Sequence, residues 1–410
     1  MKIKNLSLKN IGPFLEAELE FINDENQKPP VIIITGENGT GKTIVLDAIR
    51  GILLGTNDGH RGSLQRNIIR DENDFQIKSN LDFNNTNYTL ISEEIDDFNK
   101  FQIKSDEIKS FYNVSNGFGG HEGNIWVASY WTSKTDNSKF KLDSLVSWNS
   151  KGYLNGAFTG VQSNVEVLKL ITAFDYYRSS DNPKEKEEGE FLYSIIKKIF
   201  KLGLFDGELK YVERKTNMPI VSQNGFDVSL DKLSSGNLYL IQRMISLLGQ
   251  MYSVYELNNL KLEELLLTPG LLLIDEAENH LHPKWQKTFL NSILNIFPNL
   301  QIIITTHSPF IVSSIENSKV FVCKSEKDHS IIVDETDVYS NKPIEEILQS
   351  EVFNTNPFNA EISELMKERK LAIESKDFAK KEEIEEKLKA INPEYFSYFD
   401  IDKLIKSISK

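Results

Sequence analysis

Cysteine and histidine are scarce in this sequence, which has one cysteine, Cys323, and six histidines among 410 residues. One cysteine cannot form an intrachain disulfide, and this excludes the small disulfide-stabilised secreted folds. The histidines are scattered, and no Cys/His spacing typical of a zinc site is present. Cys323 is therefore expected to be a core residue.

Long apolar runs are also lacking. The stretch from Leu265 to Ile274 is interrupted by Thr268, Pro269 and Gly270, and it is much shorter than the roughly 20 residues that cross a bilayer. The first six residues alternate like a strand and have neither the apolar core nor the cleavage site of a signal peptide. We expect a cytoplasmic protein with no membrane segment and no membrane partner.

An excess of positive charge is missing as well. The chain has 60 acidic and 47 basic residues, a formal net charge of -13, which argues against a surface that is basic all over. A local basic patch could still bind DNA, and one candidate cluster consists of Lys184, Lys186, Lys197, Lys198 and Lys201. Its acidic neighbours are also typical of an ordinary solvated helix, so composition leaves nucleic acid binding open.

A glycine-rich phosphate-binding pattern is the clearest feature that is present. The pattern G-x-x-x-x-G-K-[ST] follows the apolar run Val31 to Ile34 and precedes a predicted helix, Ile44 to Leu53. Such a loop turns backbone N–H groups and a helix N-terminus toward phosphates, while Lys42 reaches the β and γ oxygens and Thr43 binds Mg²⁺. The predicted nucleotide-binding residues are Gly36, Glu37, Asn38, Gly39, Thr40, Gly41, Lys42, Thr43 and Ile44.

Two carboxylates end a second apolar strand. Leu271 to Ile274 is followed by Asp275 and Glu276, at the carboxyl end where open α/β sheets bind their ligands. We predict that Asp275 holds Mg²⁺ and that Glu276 orients or deprotonates the attacking water. A third apolar strand, Ile302 to Thr306, ends at His307, which is predicted to lie near the γ-phosphate.

A serine-glycine loop lies about 40 residues before these carboxylates. Ser234, Ser235 and Gly236 precede a predicted helix, Leu238 to Leu248. Either serine can cap this helix and direct its positive end at an anion. The order of phosphate loop, serine-glycine loop, Asp-Glu strand and histidine strand resembles the ABC ATPase superfamily, in which the serine-glycine loop is the signature.

Three segments narrow the resemblance to the RecF/OLD branch of these ATPases. They are LSLKNIGPF at residues 6–14, DEAENHLHP at 275–283 and TTHSPF at 305–310. The branch contains DNA-repair and anti-phage ATPases that sandwich two ATP molecules between head-to-tail heads. The resemblance therefore implies ATP and Mg²⁺ as cofactors, a homodimer or higher oligomer, and contact between Ser234, Ser235 and Gly236 of one subunit and the γ-phosphate bound by Lys42 of another.

The biological role is predicted from the same resemblance. The chain is most similar to the ATPase subunits of two-gene anti-phage systems such as Septu and PARIS, which implies control of a separate nuclease or toxin. The alternative is a RecF-like DNA-binding ATPase of DNA repair. OLD proteins carry a TOPRIM nuclease domain; in this chain Asp400 and Asp402 stand two apart but follow no apolar strand, so we interpret them as surface charges.

The predicted fold is α/β: a P-loop NTPase with an ABC-type head, in which helices flank a mixed central sheet. Residues 1–55 and 225–340 are assigned to the ATPase core, 56–224 to an inserted α+β region, and 341–410 to a helical segment. Within the last segment, Glu361 to Ile391 is predicted to form a helical hairpin broken near Ser375.

Several aromatic and polar residues have two possible roles. Phe14 could stack on adenine or fill the core, and the same choice between stacking and core packing applies to Trp126, Trp131 and Trp148. Arg178 could approach a phosphate or form an ordinary salt bridge. The glutamine expected after the phosphate loop in ABC ATPases could be Gln65 or Gln76, and the sequence decides none of these alternatives.

Overall fold

The computed structural model describes residues 2–22, 31–55, 67–83, 86–105, 125–133, 136, 138–142, 144, 148–158, 163–204, 206–353 and 358–399. Gln65, Asp400 and Asp402 lie outside the described residues. The chain forms two compact units, residues 1–344 and 345–410. The predicted nucleotide site lies in the first unit, and the two units are described separately.

Fourteen strands are described. They are β1 Lys2–Ile11, β2 Phe14–Glu20, β3 Val31–Gly36, β4 Gln76–Phe83, β5 Thr86–Ile95, β6 Phe101–Ser105, β7 Val127–Trp131, β8 Gly207–Glu213, β9 Met218–Gln223, β10 Phe226–Ser229, β11 Gly270–Ile274, β12 Leu300–Thr305, β13 Lys319–Ser325 and β14 Ser330–Asp334.

The described helices alternate with these strands. They are α1 Lys42–Leu54, α2 Ser150–Gly156, α3 Asn164–Tyr177, α4 Pro183–Leu204, α5 Ser235–Asn258, α6 Pro283–Gln286, α7 Phe289–Ile296, α8 Pro309–Val312, α9 Thr336–Tyr339, α10 Ile344–Leu348, α11 Ala360–Glu374 and α12 Phe378–Ile391. Short 3₁₀ turns cover Leu230–Lys232, Leu262–Leu267 and Tyr395–Ser397.

Eleven strands form one mixed sheet in the order β6-β5-β4-β1-β2-β14-β13-β3-β12-β11-β7. Strands β13, β3, β12, β11 and β7 pair in parallel, and β3, β11 and β12 are buried at every position. Continuous apolar runs are the sequence pattern of parallel strands covered on both faces. The α/β fold with a mixed sheet flanked by helices is thus as predicted.

The range 56–224 contributes directly to this sheet. Strands β4, β5 and β6 extend it beyond β1, and β7 forms its other edge beside β11. The same range supplies β8 and β9 of a separate three-stranded sheet, ordered β10-β9-β8. The boundaries predicted at residues 55 and 225 therefore do not coincide with a break in the hydrogen-bonded sheet.

Two helices differ from their predicted extents. The helix after the serine-glycine loop continues to Asn258, ten residues beyond the predicted end at Leu248, because its apolar residues continue. From the sequence, Pro283 to Phe297 is also predicted to form one helix, and this prediction is wrong, since a turn at residues 287–288 separates α6 from α7. At this turn the Thr288 hydroxyl donates to the Trp285 carbonyl at 3.5 Å, which is the local competition that makes threonine a weak helix former.

The second unit contains the predicted helical hairpin. Helices α11 and α12 are separated at Lys376, whose φ of 58° is left-handed, and Asp377 caps α12 by accepting from the Lys380 amide at 3.1 Å. The hairpin has its own small core of Ile384, Leu388, Phe396 and Phe399. In the described part of the chain, no helix combines the length and the apolar character needed to cross a membrane.

Candidate functional site

The glycine-rich loop joins β3 to α1 and depends on its glycines at two positions. A Cβ on Gly36 would lie 2.2 Å from the Cys323 carbonyl oxygen on the neighbouring strand. Gly41 has a φ of +101°, and a Cβ there would lie 2.6 Å from the Phe14 ring. Only glycine fits both the backbone conformation and the space, so the loop curls tightly above the sheet.

Lys42 is folded over this loop. Its Nζ donates to the carbonyl oxygens of Gly36 at 3.0 Å and Glu37 at 2.6 Å. Burial lowers the pKa of Lys42 below its usual value, although neighbouring acids, among them Glu278, oppose the shift. A cation that is held by neutral carbonyls can exchange them for an anion, because the charged interaction is the stronger one.

Asp275 connects the carboxyl ends of three neighbouring strands, β7, β11 and β12, and the start of α1. Its Oδ1 accepts from the Thr43 hydroxyl at 3.0 Å and from the Thr305 hydroxyl at 2.6 Å, and its amide donates to the Trp131 carbonyl at 2.8 Å. Burial raises the pKa of Asp275, against the lowering effect of both hydroxyls. A cation beside this carboxylate would offset the cost of its burial.

Glu276 follows directly in an unusual conformation. Its φ of 51° is left-handed, which for a residue other than glycine costs roughly 1–2 kcal/mol. Thr305 stabilises this turn, since its hydroxyl accepts from the Glu276 amide at 2.8 Å and its carbonyl from the Ala277 amide at 3.0 Å. The Glu276 carboxylate accepts from Asn279 Nδ2 at 2.5 Å, so the side chain is held by a residue of the same loop.

His307 is positioned by its backbone and by Glu278. The His307 amide donates to Glu278 Oε1 at 2.8 Å, and the Thr306 hydroxyl donates to Glu278 Oε2 at 2.6 Å. Burial, followed by the charge of Lys42, lowers the pKa of the His307 imidazole. The ring is therefore neutral near pH 7 and can offer one donor and one acceptor.

These groups surround one cavity of about 270 Å³. Its lining consists of Pro13, Asn38, Gly39, Gly41, Lys42, Thr43, Ile44, Glu276, Thr305 and His307. Residues predicted from three separate sequence motifs therefore meet at one place. Gly36, Glu37, Thr40 and Asp275 support this cavity from the loop and from the strand end rather than lining it.

The serine-glycine loop lies elsewhere, and none of its three residues is among those that line the cavity. Ser234 caps α5 by accepting from the Asn237 amide at 3.4 Å, and both Ser234 and Ser235 are exposed. Gly236 is buried against the loop after β11, where a Cβ would lie 2.1 Å from the His280 carbonyl oxygen. The exposed N-terminus of a 24-residue helix is thus presented to the surface.

Sequence reasoning missed three residues of the site. Thr305 bonds both Asp275 and Glu276, Glu278 holds His307, and Pro13 lines the cavity. The strand-end segments TTHSPF and DEAEN already contained the first two. Their pairing is visible only once β11 and β12 are known to be neighbours, because the partners lie about 30 residues apart.

The residues with two possible roles are resolved toward packing and ion pairing. Phe14, Trp126 and Trp131 are buried in the core, and the half-buried Trp148 donates to Ser253 Oγ at 3.1 Å. Arg178 binds Asp175 at 2.6 Å. None of these five side chains borders the cavity.

Known proteins were compared with the chain. The Retron Vc95 probable ATPase of Vibrio cholerae serotype O1 biovar El Tor is 25% identical over 390 residues, covering 78% of this chain and 73% of that protein. The Septu protein PtuA of Bacillus thuringiensis is 25% identical over 347 residues, covering 81% and 78%. A solved structure of an Smc head bound to the C-winged helix domain of ScpA covers 81% of this chain and 98% of that chain, with 12% identity and a TM-score of 0.48.

A family model assigns the greater part of the chain. The model described as "AAA domain, putative AbiEii toxin, Type IV TA system" matches residues 31–313, a range that begins at β3 and includes the phosphate loop, the serine-glycine loop, the Asp-Glu strand end and His307. The chain belongs to this AAA-domain family.

Proposed function

We propose that the chain binds ATP with Mg²⁺ in the cavity above β3, β11 and β12 and hydrolyses it to ADP and phosphate. The observation that carries the proposal is the 3.0 Å contact between the Thr43 hydroxyl and Asp275 Oδ1. It joins the end of a phosphate-binding loop to the carboxylate of a different strand, which is the arrangement that holds Mg²⁺ beside the phosphates in P-loop NTPases.

The oxygen ligands fit the ion. Mg²⁺ prefers hydroxyl and carboxylate oxygens together with substrate phosphates and water, and Thr43 and Asp275 supply the first two. When bound, the ion would neutralise charge that develops on the phosphate oxygens. Residues Gly36 to Ile44 would hold the phosphates through backbone N–H groups at the N-terminus of α1, and Lys42 would leave its two carbonyl partners to bind them.

Glu276 and His307 are proposed to act on the chemical step. Glu276 stands one residue beyond Asp275 in a left-handed turn, lines the cavity and is held by Asn279. It would orient or deprotonate the attacking water. The imidazole of His307 would donate a hydrogen bond to the γ-phosphate. Because its pKa is lowered, the ring is neutral and carries a proton on one of its two nitrogens.

Two copies are proposed to complete each site head to tail. Ser234 and Ser235 are exposed at the N-terminus of α5, where a helix of 24 residues concentrates positive potential. Since neither serine lines the cavity of its own chain, these residues and Gly236 are free to bind the γ-phosphate held by a second copy. ATP would then stabilise a dimer or a higher oligomer.

We further propose that this ATPase regulates an anti-phage defence complex in the cytoplasm, with a nuclease or toxin as separate effector. The names of the two similar proteins, a retron probable ATPase and a Septu protein, support this role. The motif resemblance to ATPase subunits of two-gene defence systems points the same way. The effector itself is proposed only by class.

The chemical proposal is tested by phosphate release and ATP binding in the wild type, Glu276→Gln and Lys42→Met. We expect Glu276→Gln to bind ATP normally and to hydrolyse it about a hundredfold more slowly or worse, whereas Lys42→Met should bind ATP poorly. Glu316→Gln, an exposed glutamate of the same unit, is the matched control and should hydrolyse at the wild-type rate. Hydrolysis by Glu276→Gln at the wild-type rate would exclude the proposed role of Glu276.

The biological proposal is tested by recovery from native cells. Wild type and Glu276→Gln are affinity-purified, and their partners are identified by mass spectrometry with the oligomeric state measured with and without ATP. A companion nuclease or toxin, retained on both forms, is the expected result. Recovery of a single chain type whose mass does not change with ATP would contradict both the effector and the head-to-tail assembly.

A further inference from the structure

Five residues at the end of β7, Ser129 to Ser133, form what we name the junction segment. Tyr130 and Trp131 pair in parallel with Leu273 and Ile274 of β11. Asp275 directly follows β11, and its amide donates to the Trp131 carbonyl at 2.8 Å. The backbone position of the metal-binding carboxylate is therefore set by the junction segment.

Helix α5 holds the junction segment from one side. Arg243 donates through Nη2 to the Thr132 carbonyl at 2.9 Å, and the Tyr239 hydroxyl donates to the same oxygen at 3.2 Å. Gln250 donates to the Ser129 hydroxyl at 3.2 Å. Arg243 is only 2% exposed, so its guanidinium lies inside the protein.

The loop after β11 contacts both the junction segment and the N-terminus of α5. The His280 Nε2 lies 3.0 Å from the Ser133 carbonyl oxygen, and the His280 carbonyl oxygen packs against Gly236. Gly236 belongs to the serine-glycine end of α5. The consecutive carbonyls of residues 131, 132 and 133 thus contact Asp275 at the end of β11, helix α5, and the loop after β11 that packs on Gly236.

Helix α1 fixes the junction segment from the opposite side. Arg50 stacks on the Tyr130 ring, with its Cζ 4.0 Å from the ring centroid. Its guanidinium also binds Asp47 at 3.1 Å and the Phe158 carbonyl at 3.2 Å. Since α1 begins with Lys42 and Thr43, the side of the junction segment facing α1 is tied to the phosphate loop.

We propose that Arg243 is a positioning residue for ATP hydrolysis, which holds the junction segment so that a movement of α5 is transmitted to Asp275 and to the loop at His280. The inference rests on the proposed ATPase function. Arg243 is not among the residues that line the cavity, and its guanidinium bonds the Thr132 carbonyl. Its loss should therefore alter the geometry of the chemical step and leave ATP binding intact.

The experiment compares Arg243→Met and Arg243→Lys with the wild type, measuring kcat, the Kd for ATP and thermal unfolding. A misplacement of the order of 1 Å lowers rates by about a hundredfold, so Arg243→Met should lower kcat by about tenfold or more with Kd within about threefold of wild type. Arg243→Lys should recover much of the rate, because an ammonium can still donate to the Thr132 carbonyl. Arg178→Met is the matched control, since Arg178 also stacks on a tyrosine, 4.2 Å from Tyr193, and binds an acid outside the junction segment.

Three outcomes would overturn the proposal. Wild-type kcat in Arg243→Met is one, and a parallel loss of rate and affinity, as from general unfolding, is the second. The third comes from a double-mutant cycle of Tyr239→Phe with Arg243→Lys, which also tests the proposal if Arg243→Met does not fold. Tyr239 and Arg243 donate to the same carbonyl, so the effects of the two substitutions on kcat should be non-additive. Additive effects would contradict the proposal. A wild type without ATPase activity would overturn the proposed function instead.

Discussion

One hydroxyl group organises both carboxylates of the site at the scale of single residues. Thr305 donates to Asp275 and accepts from the Glu276 amide, so Asp275 Oδ1 and the left-handed turn at Glu276 share a single support. Hydrogen bonds to a buried charged group are worth more than neutral ones. Removal of this oxygen should therefore disturb Asp275 and the turn at Glu276 together.

Thr305→Val tests this support with little change in volume. We expect kcat to fall by about tenfold or more and the Mg²⁺ concentration for half-maximal activity to rise, because Asp275 loses one donor and the turn loses its acceptor. Phosphate release is measured across a Mg²⁺ titration. Thr35→Val is the matched control: Thr35 is equally buried, its hydroxyl has no hydrogen-bond partner among the described residues, and its rate should stay at the wild-type value.

Asp47 supplies a prediction about pH. Burial raises its pKa to about 6, against the lowering effect of Arg50. The folded protein thus keeps the proton of the Asp47 carboxyl at a pH where the unfolded chain, in which the pKa of Asp47 is near 3.8, has released it. The free energy of unfolding should therefore fall by about 3 kcal/mol as pH rises from about 4 to above 6.

Asp47→Asn should remove this fall. Denaturant unfolding of the nucleotide-free protein at pH 4, 5, 6 and 7 gives the difference between variant and wild type, and the variant should gain relative stability with rising pH. Asp231→Asn removes a charge at an exposed position and serves as control. A difference that stays constant over the range would show that Asp47 has no raised pKa.

Residues that stand in a sequence motif could be predicted, whereas residues whose role depends on a neighbouring strand could not. Lys42, Thr43 and Asp275 stand in motifs whose chemistry can be read from spacing. Thr305 acquires its role only because β12 lies beside β11 in the sheet, and a sequence read along one strand contains no such information.

Loops that follow parallel strands hold the site together at the scale of elements. The loop after β11 packs on the N-terminus of α5 where Gly236 meets His280, and Glu278 in the same loop holds His307 after β12. Helix ends predicted from caps agreed with the structure at Ser234 and near Ser375. The break between α6 and α7 has no glycine or proline to signal it, and for that reason it was missed.

Gly236→Ala tests the contact between α5 and this loop. Alanine favours a helix over glycine by about 1 kcal/mol, so an open position would be stabilised. Here the new Cβ would lie 2.1 Å from the His280 carbonyl oxygen, and we expect a net loss of about 1–2 kcal/mol with lower ATPase activity. Ser235→Ala, one residue earlier and exposed, should leave the unfolding temperature unchanged.

The C-terminal hairpin contains a second matched pair of positions. Glu385 is 1% exposed and binds Arg369 at 2.7 Å and Lys381 at 3.1 Å, whereas Glu383 on the same helix forms an exposed pair with Lys387. Removing one partner of a buried ion pair leaves the other charges buried without compensation. Glu385→Gln should destabilise the hairpin by about 3 kcal/mol, seen as faster amide exchange over residues 360–391, and Glu383→Gln should change nothing measurable.

Charge dominates at the scale of the whole molecule. The chain carries a net charge of -13, which opposes long-range attraction of DNA. Lys197, Lys198 and Lys201 are exposed on α4, as a local basic patch requires, but Glu187 and Glu190 are exposed on the same helix. The alternative role in DNA repair therefore requires a small basic patch to bind DNA despite the negative net charge of the molecule.

We expect duplex DNA to leave the ATPase rate unchanged at low salt. The measurement is steady-state hydrolysis with and without DNA across a salt series, with a Lys197→Glu, Lys198→Glu, Lys201→Glu triple variant alongside. Stimulation that fades steeply with salt and disappears in the triple variant would contradict this expectation and favour the repair role.

The order of strands in the large sheet also has a consequence for synthesis. Strand β3, which leads into the phosphate loop, pairs with β12 and β13, so that Val31 meets Ile302 and Ile32 meets Lys319. Pairings between residues so distant along the chain form late in folding. While the ribosome is still translating the middle of the message, the nascent chain already carries its phosphate loop but not the strands that support it. We therefore expect nucleotide binding to begin only after the strand that ends at Ser325 has been made, and we expect a product of interrupted translation not to bind ATP.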